Sequence, residues 1–445
     1  MIRLIYHIKE ILSRKVSIAP VVTFRVLFGL LMMSSIARFT WYGWIDAQYI
    51  KPNFFFSYYG FDWISPLPEH WMYAVFGLMF IAALGITLGL FYRLSAVSFF
   101  ILFTYTELLD KTNYLNHYYF VSLVAFLLIF IPANLRFSLD IRLGRAQRVN
   151  QIQALFPIIL KFQLCLVYFF AGIAKINTDW LLQAQPLKIW LAAHVYKPLL
   201  GWLLRYEWTA YIFSWVGMLF DTIVPFIIWF KPLQKFIFPI LISFHLMTWW
   251  LFPIGMFPFI MIGATLIFID AKWHEKVICF FERTRFYSSL ANENHSTGPL
   301  NHLVKYVFVL FFIVQISFPL RYLLYPGDLF WTEQGYRFSW RVMLMEKAGY
   351  ATFYVTEGEK KIMVSNEVFL TPQQEKMMAT QPDMILQFAH HIEEEYKKKG
   401  LVDPKVTADI HVSLNGRRSK LFIDPSVDLT ELKDNWKHKN WISVQ

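Results

Sequence analysis

Tyr168-Phe-Phe-Ala-Gly-Ile-Ala-Lys175-Ile-Asn-Thr-Asp-Trp180 closes a long apolar run, and its reading decides the fold. From Phe156 to Ala174 only Lys161 and Gln163, both near the start, interrupt a segment long enough to cross most of a bilayer. Lys175 stands at its end, and the chain turns polar directly after it. Two readings of that lysine are open. One is a cation that lays its stem along hydrocarbon and its ammonium among lipid headgroups. The other is an amine desolvated inside a helical bundle, with a pKa pulled below the ordinary ~10.4 so that its neutral form acts as a base.

Outward from this stretch the whole chain is apolar. Hydrophobic residues make up 56% of its 445 positions, with 45 Phe and 17 Trp, more than a soluble core needs. A polytopic α-helical membrane protein is expected, with about nine transmembrane helices at 21–38, 72–92, 94–109, 118–133, 155–174, 209–229, 235–252, 254–270 and 302–324. Phe252-Pro253 joins the seventh to the eighth, which leaves a re-entrant pair as an alternative. The net charge of +11 is scattered over short loops rather than gathered in a patch, which argues against nucleic acid. Counted by the positive-inside rule, those charges put the N-terminus in the cytosol and everything after Leu324 outside. Met1 to Pro20 is basic and amphipathic and does not read as a signal peptide. Cys165 in a span and Cys279 in a polar loop are poorly placed to pair, so neither a disulfide nor a thiolate metal site is expected.

The composition changes after the last span. Residues 1–324 are expected to form the membrane domain carrying the site, and 325–445 an extracytoplasmic α+β domain. Ala351–Thr356 and Lys361–Val364 read as strands around Glu357-Gly358-Glu359, Gln373–Lys399 as one helix ended by Gly400, and Val406–Leu414 with Lys420–Ile423 as a hairpin. Residues 40–74 are crowded with aromatics, which fit an interfacial belt or a roof of flat rings over a site.

Several segments resemble the vitamin K-dependent gamma-glutamyl carboxylases, whose membrane part is an HTTM-type domain. They are Phe169–Trp180 around Lys175, Leu109-Asp-Lys-Thr-Asn-Tyr-Leu-Asn-His117-Tyr-Tyr119, Phe244-His-Leu-Met-Thr-Trp-Trp-Leu-Phe-Pro-Ile-Gly-Met-Phe257, and Pro66-Leu-Pro-Glu-His-Trp-Met-Tyr73 with the helix running to Arg93. The likeness extends from about Phe24 to Asp428, in order and with similar spacing. It implies a reduced vitamin K of the phyllo- or menaquinol type, with O2 and CO2 as co-substrates and no metal. Oxidation of the naphthohydroquinone to its epoxide would supply the base strong enough to carboxylate a glutamate of an exported protein or peptide.

Carried over residue by residue, the resemblance makes Lys175 the amine that takes a proton from the hydroquinone, with His117 beside it in catalysis. Asn116, His117 and His245 would contact the quinone. Trp331, Tyr336, Arg337 and Trp340 would meet the glutamate-bearing substrate. Structural roles stand against several of these: a helix-start hydrogen bond for His117, an interhelical one for His245, a packed hinge for Trp331–Trp340. The chain departs from the family at Ala174, where other members carry a second lysine, and at Tyr114-Leu115, where animal members have Trp-Asn. It also ends at Gln445 without the long extension of animal enzymes, so propeptide recognition is not carried over. A quinone epoxidase that does not carboxylate, and a non-catalytic quinone- or lipid-binding membrane protein, remain as alternatives. A bacterial plasma membrane is the expected location, or the endoplasmic reticulum in a eukaryote.

Overall fold

The computed structural model describes residues 2–283, 297–298 and 300–444. An amphipathic helix, α1 (Ile2–Ser13), leads through strand β1 (Lys15–Ser17) into α2 (Ala19–Trp41), where Pro20 pre-sets the first turn. Then come α3 (Glu69–Leu88), α4 (Tyr92–Leu108), α5 (Asn116–Phe130) and the single turn α6 (Leu139–Arg142). Strand β2 (Gln151–Gln153) pairs back on β1 before α7 (Leu155–Ala174), the helix that carries Lys175 as its C-cap. Two short helices, α8 (Thr178–Gln183) and α9 (Leu187–Ala192), cross the end of the bundle, followed by α10 (Glu207–Ile227), α11 (Lys231–Leu251), α12 (Phe257–Thr265), α13 (Ala271–Glu282) and α14 (His302–Ser317).

All nine expected segments are helical, but only five helices are long and apolar enough to cross a bilayer among the described residues: 19–41, 69–88, 155–174, 207–227 and 302–324. α12 has nine residues and one further 3-10 turn, too little to span alone. Leu303, Val309, Leu310 and Ile313 leave α14 with a broad exposed apolar face, as a helix against lipid has. Cys279 lies in α13 rather than in a loop, and both described cysteines are free.

Close helix contacts are made where side chains are small. At Gly172 an added Cβ would lie 2.6 Å from the backbone nitrogen of Thr222 and 2.8 Å from its Cα, so α7 and α10 touch backbone to backbone there. At the opposite end of the bundle Gly89, with φ +61°, ends α3 in the left-handed conformation. Its missing side chain admits the buried guanidinium of Arg25, which donates to the carbonyls of Ala133 and Phe137.

Past the turn α15 (Leu329–Thr332) the chain builds a four-stranded antiparallel sheet in the order β4-β3-β5-β6: β3 (Lys347–Glu357), β4 (Lys360–Val364), β5 (Lys405–Leu414) and β6 (Lys420–Ile423). Val406, Ala408, Ile410, Val412 and Leu414 alternate inward along β5, where they share a core with Met384, Ile385 and Phe388. The single helix expected over Gln373–Lys399 is two, α16 (Pro372–Met378) and α17 (Pro382–Lys398). Pro382 is the reason: it pushes Gln381 into extended backbone and opens a second helix at its own first turn.

The C-terminal layer is seated on the helical one. Part of the aromatic segment 40–74 serves this seating rather than a lipid belt: Phe56 is fully buried in the C-terminal core and Phe54 stacks on His391. Gln374 donates to the Phe54 carbonyl and to Asp110. Nearby, Asp383 accepts from both Lys111 (2.8 Å) and Arg337 (2.7 Å). Burial opposes ionisation of Asp383, but the Arg337 and Lys111 charges outweigh it and hold the carboxyl well below the usual carboxylate range.

Two predictions follow from this packing. Asp383→Asn leaves two cations facing each other and costs about 2–3 kcal/mol, less than the ~3–5 of a fully buried pair because Asp383 is 23% exposed. A depressed carboxylate stabilises fully above its unfolded value near ~3.9 and loses that contribution as the pH falls through its lower folded value. The thermal-midpoint difference between wild type and variant should therefore be constant from pH 5 to 8 and shrink only below about pH 4. A difference that vanishes at pH 6 contradicts this account. Gly172→Ala should force α7 from α10 and cost about 1–3 kcal/mol in thermal unfolding, whereas Gly77→Ala, with nothing within 4 Å, should be neutral.

Candidate functional site

α7 ends where α10 is held against it, and this places Lys175 opposite a residue that the sequence reading passed over. Lys175 Nζ lies 2.7 Å from Asp221 Oδ2 and donates also to the Ala171 carbonyl at 3.2 Å. Both side chains of the pair are buried, each residue 7% exposed. The indole of Trp180 lies 5.5 Å from the ammonium, on the cation-attracting face of the ring. The amine therefore does not reach out of the bundle, as a snorkelling cation would. The expectation of a lysine discharged by desolvation alone is also incomplete, because a carboxylate is built in beside it. A lone acid in an apolar helix is itself a signal, and Asp221 in Met218-Leu-Phe-Asp-Thr-Ile-Val224 carried it.

Lys175 and Asp221 form the polar end of a cavity of about 110 Å³ walled by Val167, Trp190, Phe213, Phe244, Phe252 and Met261 among others. His245, on α11, belongs to the same wall. Its Nε2 meets the Tyr168 hydroxyl at 2.8 Å, while its Nδ1 is buried without a hydrogen-bond partner. An unpaired ring nitrogen on a residue of the cavity wall is an orphan polar atom that a bound hydroxyl or carbonyl would satisfy.

Asn116 and His117 open α5 and line a second cavity, of about 280 Å³, with Arg38, Trp44 and Met256. The two cavities are neighbours with one wall in common, made of Ile254, Phe257, Val342 and Met343. Phe257 is the centre of that wall, its ring 5.9 Å from His117 on one side and 5.9 Å from His245 on the other. His117 is buried among rings, and Asn116 is committed to the backbone. Its amide nitrogen donates to the Arg341 carbonyl (3.1 Å) and its oxygen accepts from Tyr114 (3.0 Å).

A naphthoquinone headgroup can be tested against this arrangement. The chemistry fits: flat aromatic walls, an amine and an orphan imidazole nitrogen. The volume does not fit in one chamber, since about 110 Å³ falls short even of the ~150 Å³ that accommodates a single benzene ring. Two fused rings need the common wall to yield. Met343 is its most adaptable member, unbranched and held at φ +52°.

The expected substrate residues divide. Trp340 is 1% exposed and stacks on Tyr119 in the helical core. Trp331 is 2% exposed in the C-terminal core, its indole donating to the Ser443 carbonyl. Both indoles are thus taken up by packing, and a peptide would meet them only after local rearrangement. Tyr336 is half-buried near Phe330.

Arg337 instead lines an open cleft of about 250 Å³ between the two layers, with Tyr58, Lys111, Arg321, Asp383 and Trp436. Arg321 was not foreseen. It donates to the Phe318 and Arg337 carbonyls and has no carboxylate partner among the described ion pairs. The segment 335–343 borders this cleft at Gly335, Arg337 and Phe338 and both inner cavities at Val342 and Met343.

Known families meet this geometry along nearly the whole chain. Residues 13–273 match the HTTM domain, and residues 300–445 match the vitamin K-dependent gamma-carboxylase lumenal domain. No solved structure matches. With helices apolar enough to span a bilayer and both parts of the family's architecture in order, this integral membrane protein belongs to the vitamin K-dependent gamma-carboxylase family.

Proposed function

We propose that the chain is a membrane carboxylase that modifies glutamates of an exported protein or peptide, using a reduced naphthoquinone, O2 and CO2. The observation that carries this reading is the buried amine of Lys175 at the polar end of an apolar, aromatic-walled cavity. Bound across the two inner cavities, with their common wall displaced, a naphthohydroquinone would supply the reducing power and the strong base that a side chain cannot provide at neutral pH.

The protein's own part is binding, orientation and proton handling. The rings of Phe244, Phe252 and Phe257 hold a flat apolar body and exclude water, which would quench a strong base. His245 Nδ1 offers a hydrogen bond to a ligand oxygen, and Tyr168 fixes the ring that presents it. Lys175 Nζ, with Asp221 beside it, accepts the hydroxyl proton. His117, across Phe257, faces the far side of the same space and would orient or stabilise a developing negative oxygen. The cleft is the entrance for the acidic substrate: Arg321 and Arg337 suit a glutamate carboxylate, and segment 335–343 leads from there to the inner cavities. In this reading the cleft faces away from the cytosol, and residues 325–445 select the substrate while 1–324 perform the chemistry.

The test is purified protein in lipid with the hydroquinone, labelled bicarbonate and a Glu-containing peptide, scoring both label and epoxide. Both products are expected, and Lys175→Ala should reduce both at least 100-fold while the protein, with a lowered thermal midpoint, stays folded at the assay temperature. Epoxide without label would assign quinone oxidation alone, and neither product, with quinone still bound, a binding protein. Arg321→Gln should raise the peptide KM about tenfold, the loss expected for one charge-assisted contact of ~1.4 kcal/mol, and leave peptide-independent epoxidation unchanged. An unchanged KM removes Arg321 from the substrate path.

A further inference from the structure

The family likeness points to Lys175, but nothing in it points to the carboxylate 2.7 Å away. We infer that Asp221 is the positioning and proton-holding partner of Lys175, taking up the ammonium proton so that a free amine is produced inside a dry cavity. This inference rests on the proposed role of Lys175 as proton acceptor.

The argument begins with a difficulty. A lysine can accept a proton only after losing one, and this lysine is 7% exposed at the end of a cavity lined mostly by apolar side chains, with little direct access to water. A carboxylate in direct hydrogen-bond contact removes the difficulty. One N–H bond on Lys175 breaks, one O–H bond on Asp221 forms, and the ammonium–carboxylate pair becomes an amine and a carboxylic acid. The pair has zero net charge before and after, so the exchange moves no charge into a low-dielectric site. When the amine then takes a hydroxyl proton from the ligand, the new ammonium lies beside the oxyanion it created, and neutrality is kept again.

Geometry supports the assignment independently. Lys175 Nζ is pinned by two acceptors, Asp221 Oδ2 and the Ala171 carbonyl, leaving one N–H direction for the cavity. The backbone contact at Gly172 and Thr222, next to Asp221, fixes the spacing of the two helices that carry the pair. The other titratable side chains facing the pair are Tyr168 on α7 and His245 on α11, which hydrogen-bond each other. α8, α9, α12 and the 342–343 segment contribute only apolar or indole side chains to the cavity, and of the groups lining it Asp221 is the one in direct hydrogen-bond contact with Lys175 Nζ.

The experiment uses the full chain in lipid, as wild type, Asp221→Asn and Asp221→Glu, with two readouts. The first needs no activity: acetic anhydride, a small uncharged amine reagent, is applied over pH 6–11 and acetylation of Lys175 is followed by mass spectrometry. Without its carboxylate a buried ammonium is destabilised. The labelling midpoint in Asp221→Asn should therefore move down by at least one pH unit, while Asp221→Glu stays within half a unit of wild type. Altered access would change the labelling plateau but not this midpoint.

The second readout is hydroquinone epoxidation against pH. Asp221→Asn should be at least tenfold slower than wild type at pH 7 and become steeply pH-dependent, and Asp221→Glu should restore part of the rate. An unmoved labelling midpoint, or an Asp221→Asn rate and pH profile equal to wild type, overturns the inference. An active Lys175→Ala variant, or a wild type that forms no epoxide, would instead overturn the reading beneath it, and the labelling arm would still decide whether Asp221 governs the charge of Lys175.

Discussion

The contact on which the site depends is the close approach of α7 to α10, allowed by the missing side chain of Gly172. It brings the end of one apolar helix against the middle of another, so Lys175 and Asp221 meet away from water instead of each finding solvent. Removing either member of such a pair strands a charge at a cost of several kcal/mol, which makes the pair a poor choice for stability alone. Apolar residues of the same volume would hold two helices as well. The presence of the pair, at the wall of a cavity, argues that its charges are there to be used.

The second constraint is that the cavity is closed by a different part of the chain. Asp179, four residues after Lys175, accepts from Asn415 (2.6 Å) and from Arg417, both on the turn between β5 and β6. Gly416 in that turn lies against Ile189, and Trp190 donates to Glu346 at the start of β3. The loop that leaves the proposed catalytic lysine is thereby gripped by the C-terminal sheet. Segment 333–343 makes the other connection, and it is the most strained backbone in the described chain: Glu333, Phe338, Trp340 and Met343 all have positive φ without being glycine. Each such residue costs about 1–3 kcal/mol and persists only where surrounding contacts over-determine it. Here those contacts are Tyr119 under Trp340, the Tyr114 hydroxyl accepting from the Phe338 N–H, and Asn116 donating to the Arg341 carbonyl.

How much of this could be read from the sequence depended on whether the deciding interaction was local. Apolar runs placed a helix in every expected segment, though only five are long and apolar enough to span, and the strand pairs of the C-terminal sheet fell where expected, because burial follows periodicity along the chain. Length was harder: α12 stops after nine residues, since a segment packed beside its neighbours satisfies its backbone without crossing. The split at Pro382 was legible and overlooked. Lys175 was legible because it ends a long apolar run, and Asp221 was equally legible as the one acid within another. Their pairing was not, since 46 residues separate them and only the α7–α10 contact joins them. Arg321 was hidden for the same reason: that it has no carboxylate partner among the described residues is a fact of three dimensions. Trp331 and Trp340 show what sequence leaves out in the other direction: both expected substrate contacts are buried in packing, which only the three-dimensional structure displays.

The division of the interior into chambers bears on how one protein could handle two incompatible demands. A base strong enough to remove a proton from a glutamate side chain must be shielded from water, while a charged peptide must arrive from water. Placing the Lys175 cavity behind Phe257 and Met343, and the cation-lined cleft on the far side of segment 335–343, separates these environments by side chains rather than by a lid domain. The separating segment is held in a costly conformation by interactions from both layers, so under the proposed function a substrate that competed for Arg337 or Arg321 would draw on the same contacts that keep the wall in place. Under that function, binding at the cleft and opening of the wall would be coupled through shared hydrogen bonds, and such a coupling would delay exposure of the reactive space until an acidic partner is present to use it.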